Sequence, residues 1–132
     1  MRTAKLDERL YRTDADNGVT VLSEVLPGVR SVAVGIWVRT ASVHEAPQKM
    51  GVSHLLEHMV FKGTERRSAK EIAREIEGIG GSLDAYTTRE HTAYYARVLD
   101  EDLPVAVDVL SDLVFLPRLR EADLGLEKNV IL

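Results

Sequence analysis

Five consecutive residues, His54-Leu55-Leu56-Glu57-His58, carry the densest concentration of reactive side chains in the chain. On a helix, at about 100° per residue and with His54 at 0°, His58 falls near about 40° and Glu57 near about 300°. Val52, Leu55, Leu56, Met59 and Val60 then fill roughly the arc from 100° to 240°. One face is therefore core, and the other presents two imidazoles and a carboxylate together. Histidines one turn apart can chelate a single tetrahedral ion, and imidazole nitrogen suits zinc. Glu57, on the same stripe, is placed to take a proton from a water at the metal and later hand it to a leaving amine. A carboxylate alone cannot make water nucleophilic near neutral pH, whereas zinc lowers the pKa of a bound water to about 7. The competing reading is an amphipathic helix whose solvent side happens to hold His, Glu and His. A complete five-residue pattern in register with a clean apolar face favours the chemistry. His44 and His91 have no partner at chelating spacing and read as ordinary loop and strand residues.

The elements that must position this turn can be read from the apolar pattern. The 132 residues, 45% of them hydrophobic, suit one compact domain, residues 1–132, of α+β class. Zero cysteines exclude disulfides and thiolate metal sites, leaving His, Asp and Glu as ligands. A net charge of -4 with 5% aromatics carries no nucleic-acid signature. The apolar runs are too short to span a bilayer. Met1 to Glu8 lacks the apolar core of a secretory signal, so the expected location is cytoplasmic.

Leu10 to Thr13 and Val19 to Glu24 flank Asn17-Gly18, whose positive φ angles predict a tight hairpin. Ser31 to Arg39 puts Val32, Val34, Ile36 and Val38 on one face and Ala33, Gly35 and Trp37 on the other, and so reads as a central strand. A polar loop through Val43 to Pro47 leads to the helix that carries the motif, Gly51 to Phe61. A second helix starts at Ser68, with Glu71 completing a capping box and Ile72, Ala73, Ile76 and Ile79 facing the core. Ser82 to Thr88 and His91 to Leu99 read as strands around Arg89-Glu90. Asp102 is the expected N-cap of a helix ended by Pro117, with Val105, Val109, Leu110, Leu113 and Val114 on its core side. A last helix begins near Glu121 and is still running at Leu132.

The stretch Gly51-Val52-Ser53-His54-Leu55-Leu56-Glu57-His58-Met59-Val60-Phe61-Lys62-Gly63-Thr64 resembles the active-site helix and following turn of the pitrilysin, or insulinase, family, to which processing peptidases belong. The resemblance continues through Gly80 to Tyr95 and reaches Glu127 to Leu132, covering almost the whole chain in order. It implies a zinc endopeptidase in which His54 and His58 are metal ligands and Glu57 is the general base. It also implies that peptides add as an extra strand to the edge formed by Ser82 to Thr88, with Asp84, Ala85 and Tyr86 as candidate contacts. Asp84 stands where the family usually has Asn; ionised, it can accept a hydrogen bond but not donate one.

The third zinc ligand of the family is a Glu seven residues after the position of Glu127, which falls past Leu132. Zinc occupancy in this chain by itself is therefore expected to be low. Glu127 matches a second family carboxylate near the metal. Two roles are open to it: direct ligation, opposed by a displacement of about 10 Å along the helix, and support of a ligand through a salt bridge. The expected partners are a peptide substrate and a second half or partner subunit of the same fold. Self-association is a further expectation, from apolar surface around Val130, Ile131 and Leu132. The alternative function is a non-catalytic scaffold or peptide-binding subunit of the same fold, since the family also contains members that have lost the metal motif.

Overall fold

The computed structural model describes residues 1–131 and separates into two compact units, Met1–Arg30 and the chain from Ser31 onward. The first unit is an antiparallel three-stranded sheet of β1 (Arg2–Lys5), β2 (Leu10–Asp14) and β3 (Thr20–Glu24), in that order. The β2–β3 hairpin forms as expected, but its turn differs. Gly18 alone takes a positive φ, of 88°, and Asn17 does not. Gly18 N–H donates to Ala15 O at 3.0 Å and Ala15 N–H to Val19 O at 2.8 Å, so the loop is longer than a two-residue turn. β1 has no apolar alternation to announce it. It is held by its ladder to β2 and by a 2.9 Å bond between the Thr3 and Thr13 hydroxyls.

The second unit is the α+β body that carries the motif. Its sheet runs β4 (Ser31–Val38), β6 (Thr92–Leu99), β5 (Ser82–Thr87), all antiparallel. β4 is thus an edge strand among the described residues and not the central one; β6 is central. The apolar outer face that suggested a central strand is explained locally. Ala33 and Gly35 are small, and the Trp37 ring folds back over Gly35, so closely that a Cβ there would meet it at 2.8 Å. Trp37 itself remains 57% exposed.

The opposite face of the sheet is covered by helices α1 (Val52–Val60), α2 (Ala69–Glu77) and α3 (Leu103–Phe115). Val60, Ile72, Ile76, Tyr94, Ala96, Val98, Val109, Leu110 and Leu113 form one buried cluster. Val32, Val34, Ile36 and Val38, from the face of β4 that reads as core, pack against it. The capping box of α2 is formed: Glu71 N–H donates to Ser68 Oγ at 3.2 Å, and Ser68 N–H donates to Glu71 Oε2 at 2.7 Å. Such a cap stabilises a helix by about 0.5–2 kcal/mol. Asp102 occupies the N-cap position of α3 without a side-chain cap bond, because residues Asp100–Asp102 form a short 3-10 turn ahead of the helix.

A polar network fixes the turn after α1. Thr64, fully buried, donates to Asp112 Oδ2 at 2.5 Å, and Arg67 Nη1 donates to the same oxygen at 3.0 Å. Arg67 also reaches Glu75 and Asp108, which together hold its guanidinium above its ordinary value, Glu75 foremost. The turn is thereby tied to both α2 and α3. The last helix, α4 (Glu121–Ile131), packs on α1. Val130 is 70% exposed, while the Ile131 side chain and Leu132 lie outside the described residues.

Candidate metal centre

The N-terminus of α1 is built by Gly51 and Glu45. Gly51, at φ 92°, turns the chain into the helix in a conformation disfavoured for residues with a Cβ. Glu45, a loop residue, accepts from Gly51 N–H at 2.7 Å and Ser53 N–H at 2.8 Å. It thereby satisfies amides that the helix leaves unpaired, and these bonds, Ser53's first, hold its carboxyl below the ordinary value. The first turn of the motif helix is fixed by a carboxylate that sequence pattern leaves in a plain loop.

From this start, His54, Glu57 and His58 project to one side, their ligand atoms within 4.8 Å of one another. The two Nε2 atoms are 3.2 Å apart. Zinc–nitrogen bonds of 2.0–2.1 Å at a tetrahedral angle require about 3.3 Å between ligand nitrogens. The imidazole pair therefore already has the spacing of two ligands on one ion. The rings meet edge to face, with centroids 4.8 Å apart.

Two members of the trio, Glu57 and His58, have a partner outside it that orients them. Thr87 Oγ1, at the end of β5, donates to Glu57 Oε2 at 2.5 Å. Glu127, reaching in from α4, sets its Oε2 3.2 Å from His58 Nδ1 and its Oε1 2.5 Å from Lys62 Nζ. Glu127 is only 4% exposed, so its charge needs these partners. Lys62 first, and His58 after it, hold its carboxyl below the ordinary range. A bond to Nδ1 leaves Nε2 of His58 as the nitrogen that faces His54, which is how metal-binding histidines are commonly held. Beneath Glu57, burial raises the Tyr94 phenol, and the charge of Glu57 adds to the effect.

A cavity of about 350 Å³ opens beside the trio, lined in part by Glu57, His58, Phe61, Asp84, Ala85 and Glu127. Asp84 and Ala85 thus reach the site. Tyr86 does not line it: its side chain is on the open face of the sheet, where Trp37 Nε1–H donates to its hydroxyl at 3.4 Å. His44 and His91 are both engaged elsewhere, His44 Nδ1 accepting from Ala41 N–H at 3.2 Å and His91 Nδ1 bonded to Thr88 Oγ1 at 3.1 Å. Sequence pattern does not by itself single out Thr87 or Lys62. Thr87 shares the helix-facing phase of β5 with Leu83 and Ala85, and Lys62 follows His58 by four residues, so a signal for each exists.

Two imidazoles and a carboxylate on one helical turn, set against β5, form a donor set suited to a zinc ion. The chain belongs to the family described as Insulinase (Peptidase family M16), whose sequence profile matches residues 20–132. It is 50% identical over 92% of its length to the uncharacterized zinc protease YmxG of Bacillus subtilis, and covers 30% of that protein. An uncharacterized zinc protease of Streptomyces coelicolor is 45% identical over 92% of the chain, which covers 26% of it. The probable mitochondrial-processing peptidase subunit beta of Arabidopsis thaliana is 42% identical over 91% of the chain, which covers 23% of it. The chain therefore spans less than a third of the length of these relatives.

Proposed function

We propose that the protein containing this chain is a zinc-dependent endopeptidase acting on peptides or unfolded segments, with His54 and His58 as metal ligands and Glu57 as general base. The observation that carries this reading is the 3.2 Å approach of the two Nε2 atoms, with Glu57 on the same turn. The resemblance to the insulinase family implies a third ligand, a Glu seven residues after the position of Glu127. Zinc bound here would acidify a water and polarise the scissile carbonyl.

The residues of the chain divide the remaining work. His54 and His58 present neutral Nε2 atoms, and Glu127 keeps His58 in the tautomer that allows it by accepting from Nδ1–H. Lys62 compensates the charge of Glu127 so that the carboxylate stays ionised. Thr87 fixes the rotamer of Glu57 through Oε2. Glu57 takes the proton of the attacking water and returns it to the leaving amine, so that the net reaction is hydrolysis of one peptide bond. β5 offers an edge on which an extended peptide can pair by its main chain, which gives affinity with little side-chain selectivity. Two matched relatives are named as subunits of a processing peptidase, which supports a second half or partner subunit of the same fold.

The test is hydrolysis of an internally quenched, unstructured peptide by the full-length protein. Cleavage is expected, abolished by a zinc chelator and restored by stoichiometric zinc. Cleavage that survives complete removal of metal contradicts the proposal.

A further inference from the structure

The outward-facing backbone groups of β5 follow from a single hydrogen bond. Thr88 N–H donates to His91 O at 2.9 Å. Antiparallel partners alternate between bonded and non-bonded pairs, so Tyr86, Asp84 and Ser82 exchange bonds with their β6 partners Ala93, Tyr95 and Arg97. Leu83, Ala85 and Thr87 then turn N–H and C=O away from β6, toward an edge with no strand among the described residues. Gly81, in the same phase, agrees: its N–H goes to Ile76 O at 2.9 Å, on the side away from β6.

On this edge the Ala85 amide already has an acceptor. It donates to Asp84 Oδ1 at 2.8 Å, while Asp84 Oδ2 sits 3.4 Å from the Tyr95 hydroxyl. Asp84 and Ala85 both line the cavity that Glu57 and His58 line. A carboxylate is the stronger acceptor when it meets an amide that would otherwise face water or another strand. Capping an edge amide in this way also blunts unwanted strand pairing, a hazard of any open edge.

We propose that Asp84 is a resident cap on the docking edge: its carboxylate occupies the Ala85 N–H that an extended peptide needs, and a peptide main chain binds only by displacing it. The cap rests on the peptidase reading above and determines how tightly that site holds the peptide backbone. It differs in sign from a direct contact. If Asp84 contacts substrate, removing it weakens binding; if it competes with substrate, removing it tightens binding.

The experiment uses the full-length protein in a Glu57→Gln background, so that a fluorescently labelled extended peptide is bound and not cut, with Asp84→Ala and Asp84→Asn added in turn. Fluorescence anisotropy is expected to show Kd falling about fivefold for Asp84→Ala, the scale of one hydrogen bond. A smaller fall is expected for Asp84→Asn, whose neutral amide oxygen caps less strongly. In the hydrolytically competent enzyme, KM falls in the same order. A higher or unchanged Kd in Asp84→Ala overturns the cap. If the enzyme with Glu57 intact still cleaves the peptide in a zinc-dependent way, that result leaves the peptidase reading standing. Absence of both cleavage and binding in every form removes the peptidase reading and the cap together.

Discussion

Replacing Glu57 with Gln in the full-length protein is expected to lower kcat for peptide hydrolysis by about 10²–10⁴-fold, the contribution of a positioned acid–base group. The substitution is nearly isosteric. An amide oxygen can still accept from Thr87 Oγ1, which now bonds Glu57 Oε2 at 2.5 Å, so the side chain keeps its rotamer. The ligand nitrogens of His54 and His58 are untouched, and zinc content should match that of the unaltered enzyme. What is lost is the capacity to take a proton. Activity within tenfold of the original, in a protein of equal zinc content, would show that another group is the base.

His58→Ala should have the other large effect, through the metal and not the proton. It removes one of two imidazoles whose Nε2 atoms lie 3.2 Å apart, and it also strips Glu127 of one of its two side-chain partners. Glu127, only 4% exposed, would keep Lys62 alone. Zinc measured after dialysis should fall from stoichiometric to background, and hydrolysis with it. Glu127→Gln gives the contrast. It leaves both ligands in place and removes only the group that orients one, so metal affinity should fall by about 10–100-fold. Equal losses in the two variants would mean that Glu127 is itself a ligand.

The motif was legible because helical periodicity alone brings residues at i and i+4 to one side, and the Ser68–Glu71 capping box because its residue types admit few other uses. What sequence pattern hid has a common cause. Glu45 caps α1 from a loop six and eight residues before its partners Gly51 and Ser53, and no local rule links them. Thr87 meets Glu57 across 30 residues of chain, and Glu127 meets His58 only because α4 folds back on α1. Strand order departs from the apolar pattern for a different reason. An apolar outer face on β4 suggests burial on both sides, but among the described residues β4 pairs with β6 alone, and Trp37 lies over Gly35 on its own strand while staying 57% exposed. The β2–β3 hairpin follows from Asn17-Gly18 but its turn does not, because Asn-Gly permits a two-residue turn without requiring one. The resemblance of Gly51–Thr64 and Gly80–Tyr95 to the insulinase family carried further than pattern, and the family match over residues 20–132 agrees with it.

Whether His54 and His58 hold one zinc ion is read most directly by X-ray absorption at the zinc edge of the full-length protein. One zinc per chain is expected, with two imidazole nitrogens at about 2.0–2.1 Å and oxygens as the remaining ligands. A shell without two imidazoles, or a protein that binds no zinc when supplied with it, would contradict that expectation.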